Sequence, residues 1–259
     1  MNHSPKKTVI VLIAMLGAAS IGNSQVLVDE TFTYADGSLA SVSGGAWTEF
    51  SGTGGQTIVS GALSLDDNFS GDNERSFAEQ SSGTVFYSLK FNALSSDQPS
   101  STTDGGYFIG FNSGSTFYSR LVAYRPSGST AGTFTLGVTS HSSGTTTDWG
   151  AELLLDSTYS LVVSLNLSTG DSTLWIDPAS SSSASVVSTG VGPISAVDSI
   201  GTRISGTSNG DKTIDDLVVG LKFSDVSGAA VPEPSAYSVV FAGLIFARVI
   251  SRRRRIDAV

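Results

Sequence analysis

The chain has 259 residues, no cysteine and a formal net charge of −9. An acidic chain repels phosphate backbones, which excludes nucleic acid as a partner; the lack of cysteine excludes disulfides, thiolate nucleophiles, cysteine-ligated metals and haem attachment. Abundant Gly, Ser and Thr and few helix formers between the two ends describe a β protein rich in turns.

The first element is Met1-Asn-His-Ser-Pro-Lys-Lys7, followed by an apolar run from Val9 to Ala19 and small residues up to Ser24. A positive start, an apolar stretch and small residues before a polar segment are the parts of a secretory signal peptide, with cleavage after Ser24 or after Ser20. The apolar run is short against the ~20 residues a membrane span needs, which favours a removed signal helix over an anchor. The expected domains are therefore 1–24 as signal, 25–227 as a folded domain and 228–259 as linker and tail. Both ends are net positive, so the stretch between them is more acidic than the whole.

Strands are predicted at Val26–Thr33, Ala46–Phe50, Gln56–Ser60, Ala62–Leu65, Thr84–Phe91, Gly106–Asn112, Phe117–Tyr124, Thr133–Thr139, Tyr159–Leu167, Ser172–Asp177, Ser199–Ile204 and Thr213–Phe223. Val85, Tyr87, Leu89 and Phe91 alternate with Phe86, Ser88 and Lys90, and Leu161, Val163 and Leu165 with Val162, Ser164 and Asn166. This period of two places one set in a core. A dozen short strands separated by Gly and Ser turns, without a repeat of fixed period, predict an all-β sandwich or jelly roll.

Three features carry candidate chemistry. Asp66-Asp-Asn-Phe-Ser-Gly-Asp-Asn-Glu74 alternates oxygen ligands and has a glycine at its sixth position, but Phe77 stands at the twelfth, where an EF-hand needs a bidentate Glu. A second calcium candidate pairs the ends of the domain, Asp29 and Glu30 with Asp215 and Asp216, where adjacent carboxylates repel unless a cation or solvent relieves them. For sugar stacking the candidates are Trp47, Trp149 and Trp175, with Tyr107, Tyr118 and Tyr124. Trp175 is out of phase with Leu174 and Ile176 and therefore faces away from the core, beside Asp177. His141, the sole histidine of the predicted mature domain, sits in a polar run, and no Gly-x-Ser-x-Gly elbow frames a nucleophile. No catalytic residue is assigned.

The last element reads Val231-Pro-Glu-Pro-Ser235, an apolar stretch to Ala247, then Arg248-Val-Ile-Ser and Arg252-Arg-Arg-Arg255. Two prolines exclude a helix or sheet interior, and arginines stay on the cytosolic side of a membrane. The order Pro232-Glu233-Pro234, apolar helix, Arg252, Arg253, Arg254 and Arg255 resembles the PEP-CTERM sorting domain. The resemblance implies a transmembrane sorting helix, recognition by an exosortase-type transpeptidase, and an inner-membrane anchor that gives way to the cell surface or extracellular matrix if the tail is processed. Arg248 departs from that pattern by interrupting the apolar run.

Val28-Asp-Glu-Thr-Phe-Thr-Tyr-Ala-Asp-Gly-Ser-Leu39, Leu174-Trp-Ile-Asp-Pro178 and Thr213-Ile-Asp-Asp-Leu-Val-Val-Gly-Leu-Lys-Phe223 resemble strands of concanavalin A-like (LamG-like) jelly rolls, a fold shared by lectins and glucanases. The Glu-x-Asp-x-x-Glu signature of such glucanases is missing. Three readings follow: a non-catalytic domain contacting extracellular polysaccharide, a purely structural envelope component, and a glycoside hydrolase with an atypical carboxylate pair. The first two are favoured jointly.

Overall fold

The computed structural model describes residues 25–99, 106–204 and 209–228. The predicted signal helix and the Pro-Glu-Pro tail lie outside these residues. Numbered in chain order, the described strands form two antiparallel sheets.

The first sheet, of nine strands, runs β15 (Val186–Ser188), β14 (Ser172–Ile176), β13 (Tyr159–Asn166), β7 (Thr84–Ala93), β17 (Lys212–Gly220), β5 (Ala62–Leu65), β4 (Gln56–Val59) and β2 (Gly37–Ser38), with β1 (Val26–Glu30) also pairing with β17. The second, of eight, runs β11 (Thr147–Asp148), β10 (Thr133–Thr139), β9 (Thr116–Tyr124), β8 (Tyr107–Ser113), β16 (Val197–Arg203), β6 (Asp72–Gln80) and β3 (Thr48–Ser51), with β12 (Leu153–Leu154) on β10. Two one-turn helices, α1 (Leu39–Val42) and α2 (Phe223–Val226), complete the described elements.

The alternation read from the sequence sets the inner faces. Val85, Tyr87, Leu89 and Phe91 of β7 meet Phe108, Phe111, Phe134 and Leu136 of the opposing sheet in one buried core. Phe91 stacks on Phe108 with ring centres 4.7 Å apart, and Tyr87 meets Phe111 edge-on. The core therefore holds two sheets face to face, as a jelly-roll sandwich requires. Some of its buried polar groups pair across the layers. Ser119 Oγ lies 2.6 Å from Ser172 Oγ, and the Tyr87 hydroxyl donates to the Ser119 carbonyl at 2.7 Å.

Two expectations are corrected. The stretch 72–80, where the sequence predicts no strand and whose first three residues end the Asp66–Glu74 loop candidate, is the nine-residue strand β6. The last strand stops at Gly220, and Phe223 begins α2, which folds back onto the outer face of the nine-stranded sheet.

Candidate functional site

The four carboxylates proposed to share calcium are not brought together. In the β1–β17 register Asp29 faces Val218 and Glu30 faces Leu217, so β1 ends before it reaches Asp216 and Asp215; Asp216 adopts a positive φ of 47° where β17 shifts register against β7. Glu30 is 4% exposed and accepts hydrogen bonds from the Phe32 amide, the Tyr34 hydroxyl, the Trp47 indole and Arg75. A carboxylate held by four protein donors has no lone pairs left for a metal. Asp216 pairs instead with Lys90, whose ammonium lies 2.5 Å from it and is pushed above its usual range by that contact. Trp47 is buried in the core on Glu30, and Trp149 packs against the core edge.

The loop before β6 supplies what the end-to-end pairing does not. Asp66 and Asp67 meet Asp211, their carboxylate oxygens all within 4.8 Å of one another. Asp211 was not singled out in the sequence; it comes from 144 residues away. Oxygen-only donors suit a hard divalent cation, but a protein cation already stands among them. The Lys212 ammonium is buried, donates to the carbonyls of Asn209 and Gly210, and is pulled down to about 8 by burial, against the pull of Asp67, Asp211 and Asp97. Asp97 is pushed up by burial and by its neighbours Asp67 and Asp211. The cluster also ties backbone together: Asp67 accepts from the Gly210 amide and Asp211 from the Asp67 amide.

Trp175 does point away from the main core, but α2 covers it. It is 8% exposed, its ring meets Phe223 edge-on at 5.3 Å, and Val162 and Val226 close the cluster. A covered indole offers no face to a sugar ring. Asp177 closes the turn after β14, accepting from the Ser160 amide at 2.8 Å, and lines a cleft of about 460 Å³ with Lys90, Asp216, Asp225 and Val226. The cleft thus has charged walls and its nearby tryptophan is sealed beneath α2. His141 sits in a turn beside Ser142, Ser143 and the Tyr118 ring.

The outer face of the eight-stranded sheet is better furnished. On β6, Phe77 packs against the core and Arg75 reaches Glu30, so strand parity turns Asp72 and Glu74 outward. On β16, Val197 and Ile200 are core, and Gly201 and Arg203 face out, opposite Glu74 and Asp72 respectively. β8 adds Asn112 and Tyr107, and β9 adds Phe117 and Arg120. The aromatic rings join: Phe50 lies 6.0 Å from Phe117, which lies 4.8 Å from Tyr107.

Two guanidinium groups frame Tyr107. Arg120 and Arg203 place their central carbons 4.7 and 4.8 Å from its ring centre, and Arg203 donates to its hydroxyl at 2.7 Å. Arg120 also donates to the His141 carbonyl. Asp72 lies 3.9 Å from Arg203 and is nearly buried; desolvation pushes its carboxyl up to about 6 despite the arginine. Glu74 accepts from Asn112 and Ser199. Gly201 lets Asn112 and Phe117 pack over β16: a Cβ on it would come within 2.6 Å of the Asn112 amide nitrogen and 2.7 Å of the Phe117 ring.

The fold and this face together define an antiparallel two-sheet sandwich with one furnished outer surface. No family model matches the sequence, and no curated protein sequence matches it. Among solved structures, it is similar to a protein of unknown function with a galectin-like fold from Bacillus subtilis, at 14% identity over 76% of this chain and 96% of that one, with a TM-score of 0.47. It is also similar to the lectin UEA-II complexed with galactose (10% identity, 77% of this chain and 98% of that one, TM-score 0.40) and to a sialidase (15% identity, 76% of this chain, TM-score 0.46). The chain spans only 19% of the sialidase's length. At such distances no activity carries over to this chain.

Proposed function

We propose that the protein is an exported, non-catalytic sandwich of the concanavalin A-like jelly-roll type that contacts extracellular polysaccharide. On this reading the Pro232-Glu233-Pro234 tail delivers it through an exosortase-type transpeptidase. The observation that carries the binding half is the outer face of the eight-stranded sheet. There the partly exposed Tyr107 and Phe50 rings, joined through the buried Phe117, lie beside the part-exposed, hydrogen-bonding Arg120, Arg203 and Glu74. Aromatic faces with convergent polar groups suit pyranose rings, whose axial C–H faces are apolar and whose rims are hydroxylic. The delivery half is supported by the three-part tail, read from sequence.

Co-sedimentation of the full chain in mild detergent with a panel of insoluble and bead-coupled polysaccharides tests the reading. Retention without release of reducing ends is the expected result. Retention by no glycan would leave a structural envelope component in its place.

One observation favours hydrolysis as a second reading. Asp72 and Glu74 are two residues apart on one strand and share its outer face, and Asp72 carries a raised pKa. Two carboxyls with divergent environments are what glycosidic cleavage needs. Reducing ends that appear with the wild type and vanish with Asp72→Asn would select this reading.

A further inference from the structure

We infer that Arg120, Tyr107 and Arg203 form a subsite for the carboxylate of a uronic-acid sugar, so that the polysaccharide the face receives is an acidic one. This rests on the polysaccharide reading above and adds the substrate class.

The chain carries a net charge of −9, yet two of its guanidinium groups converge on one tyrosine ring in the middle of a sheet face. Among the described residues the ion-pair partner of the two is Asp72, at 3.9 Å from Arg203, a long contact for a charge-assisted bond. Arg120 is instead satisfied by a neutral carbonyl, that of His141, at 2.7 Å. The face thus sets two guanidinium groups against the carboxylates of Asp72 and Glu74, and among the described residues Arg120 has no carboxylate within ion-pair distance. Two like charges held this close repel, and part-burial strengthens the repulsion. Nothing in the core packing demands them: both side chains project outward, on strands whose inward residues Leu121 and Ile200 fill the core.

Two chemical features select the ligand. Guanidinium forks match a planar carboxylate in two-point contact. The partly exposed Tyr107 ring, backed by the buried Phe117 ring 4.8 Å away, provides apolar surface beside the forks, the place for a sugar ring that carries the carboxylate. A neutral glucan would use the ring and leave the Arg120 charge without a counter-charge.

The test measures binding of the full chain in detergent to bead-coupled polygalacturonate, its methyl ester, dextran and dextran sulfate. The expected result is retention by polygalacturonate that weakens with salt, at least tenfold weaker retention by the methyl ester, and a comparable loss on polygalacturonate for Arg120→Gln and Arg203→Gln. The melting temperature of each variant checks its folding. If a glutamine variant fails to fold, the esterified probe asks the same question of the unaltered protein. Equal retention by the ester, or retention on polygalacturonate that survives both substitutions, overturns the carboxylate assignment while leaving polysaccharide contact intact. Arginine-dependent retention by dextran sulfate equal to that by polygalacturonate also overturns it, in favour of a general polyanion surface. Retention by none of the four beads overturns both this inference and the reading beneath it.

Discussion

Glu30 shows how a single carboxylate can be misplaced by sequence logic. In the chain it stands beside Asp29 near an end strand and invites a cation; in the fold it is the acceptor for an amide, a phenol, an indole and a guanidinium. The partners Trp47 and Arg75 lie 17 and 45 residues away, and no local pattern announces them. Glu30→Ala should lower unfolding free energy by about 3 kcal/mol or more, because Arg75 then loses its partly buried counter-charge and the indole N–H its acceptor; urea denaturation measures this, and added calcium should not restore it. Asp72 makes a second prediction, one of pH. Its folded pKa of about 6 lies above its ordinary 3.8. Between those values the native state binds more proton than the unfolded chain, so this group's contribution to stability is complete below pH 4 and is lost as pH rises through 6. Asp72→Asn should remove that slope: the difference in melting temperature between variant and wild type should change across pH 4 to 6 and stay constant above pH 7. A flat difference throughout would mean that Asp72 titrates as an ordinary exposed carboxylate.

At the scale of elements, apolar alternation was legible and polar strands were not. β7, β10 and β13 announce themselves because their inward residues are Val, Leu, Tyr and Phe at period two. β6 reads Asp-Asn-Glu-Arg-Ser-Phe-Ala-Glu-Gln, of which only Phe77 is a large apolar residue. It is a strand because β16 and β3 pair with it on both sides, a tertiary effect that overrides weak local propensity. The acidic half of the candidate face was hidden with it, since Asp72 and Glu74 share a face only once 72–80 is extended. The orientation of Trp175 was legible from parity; its cover was not, because α2 is a four-residue turn with no helical period to read. The consequence is testable. Trp175→Ala should cost about 3 kcal/mol by emptying the cluster of Phe223, Val162 and Val226. It should leave retention on any glycan unchanged, whereas a glycan-facing indole would show the reverse: little stability lost and much binding.

At the scale of the whole molecule, the two ends of the folded domain come together. The Gln25 amide donates to Asp225, and the Gln25 carbonyl accepts from the Leu221 amide, so the segment that follows the predicted signal and the segment that precedes the predicted tail leave from one place, beside the nine-stranded sheet. A tether there puts the cleft of Asp177 and Lys90 next to the anchor. It leaves the outer face of the eight-stranded sheet on the opposite side of the sandwich from the point where residue 228 leaves it. The surface near residues 25 and 228 is closed by α2, and the surface away from them carries the partly exposed Tyr107, Arg120 and Arg203. The topology itself can be tested cleanly because the chain has no cysteine of its own. In intact cells of a host lacking the processing enzyme, Glu79→Cys on exposed β6 should react with a maleimide that cannot cross the inner membrane. Ser251→Cys, between Arg248 and the arginine cluster, should react only after that membrane is permeabilised, since four arginines hold their side of the bilayer. Reaction at Ser251→Cys without permeabilisation would reverse the tail, and with it the argument that the acidic sandwich faces outward.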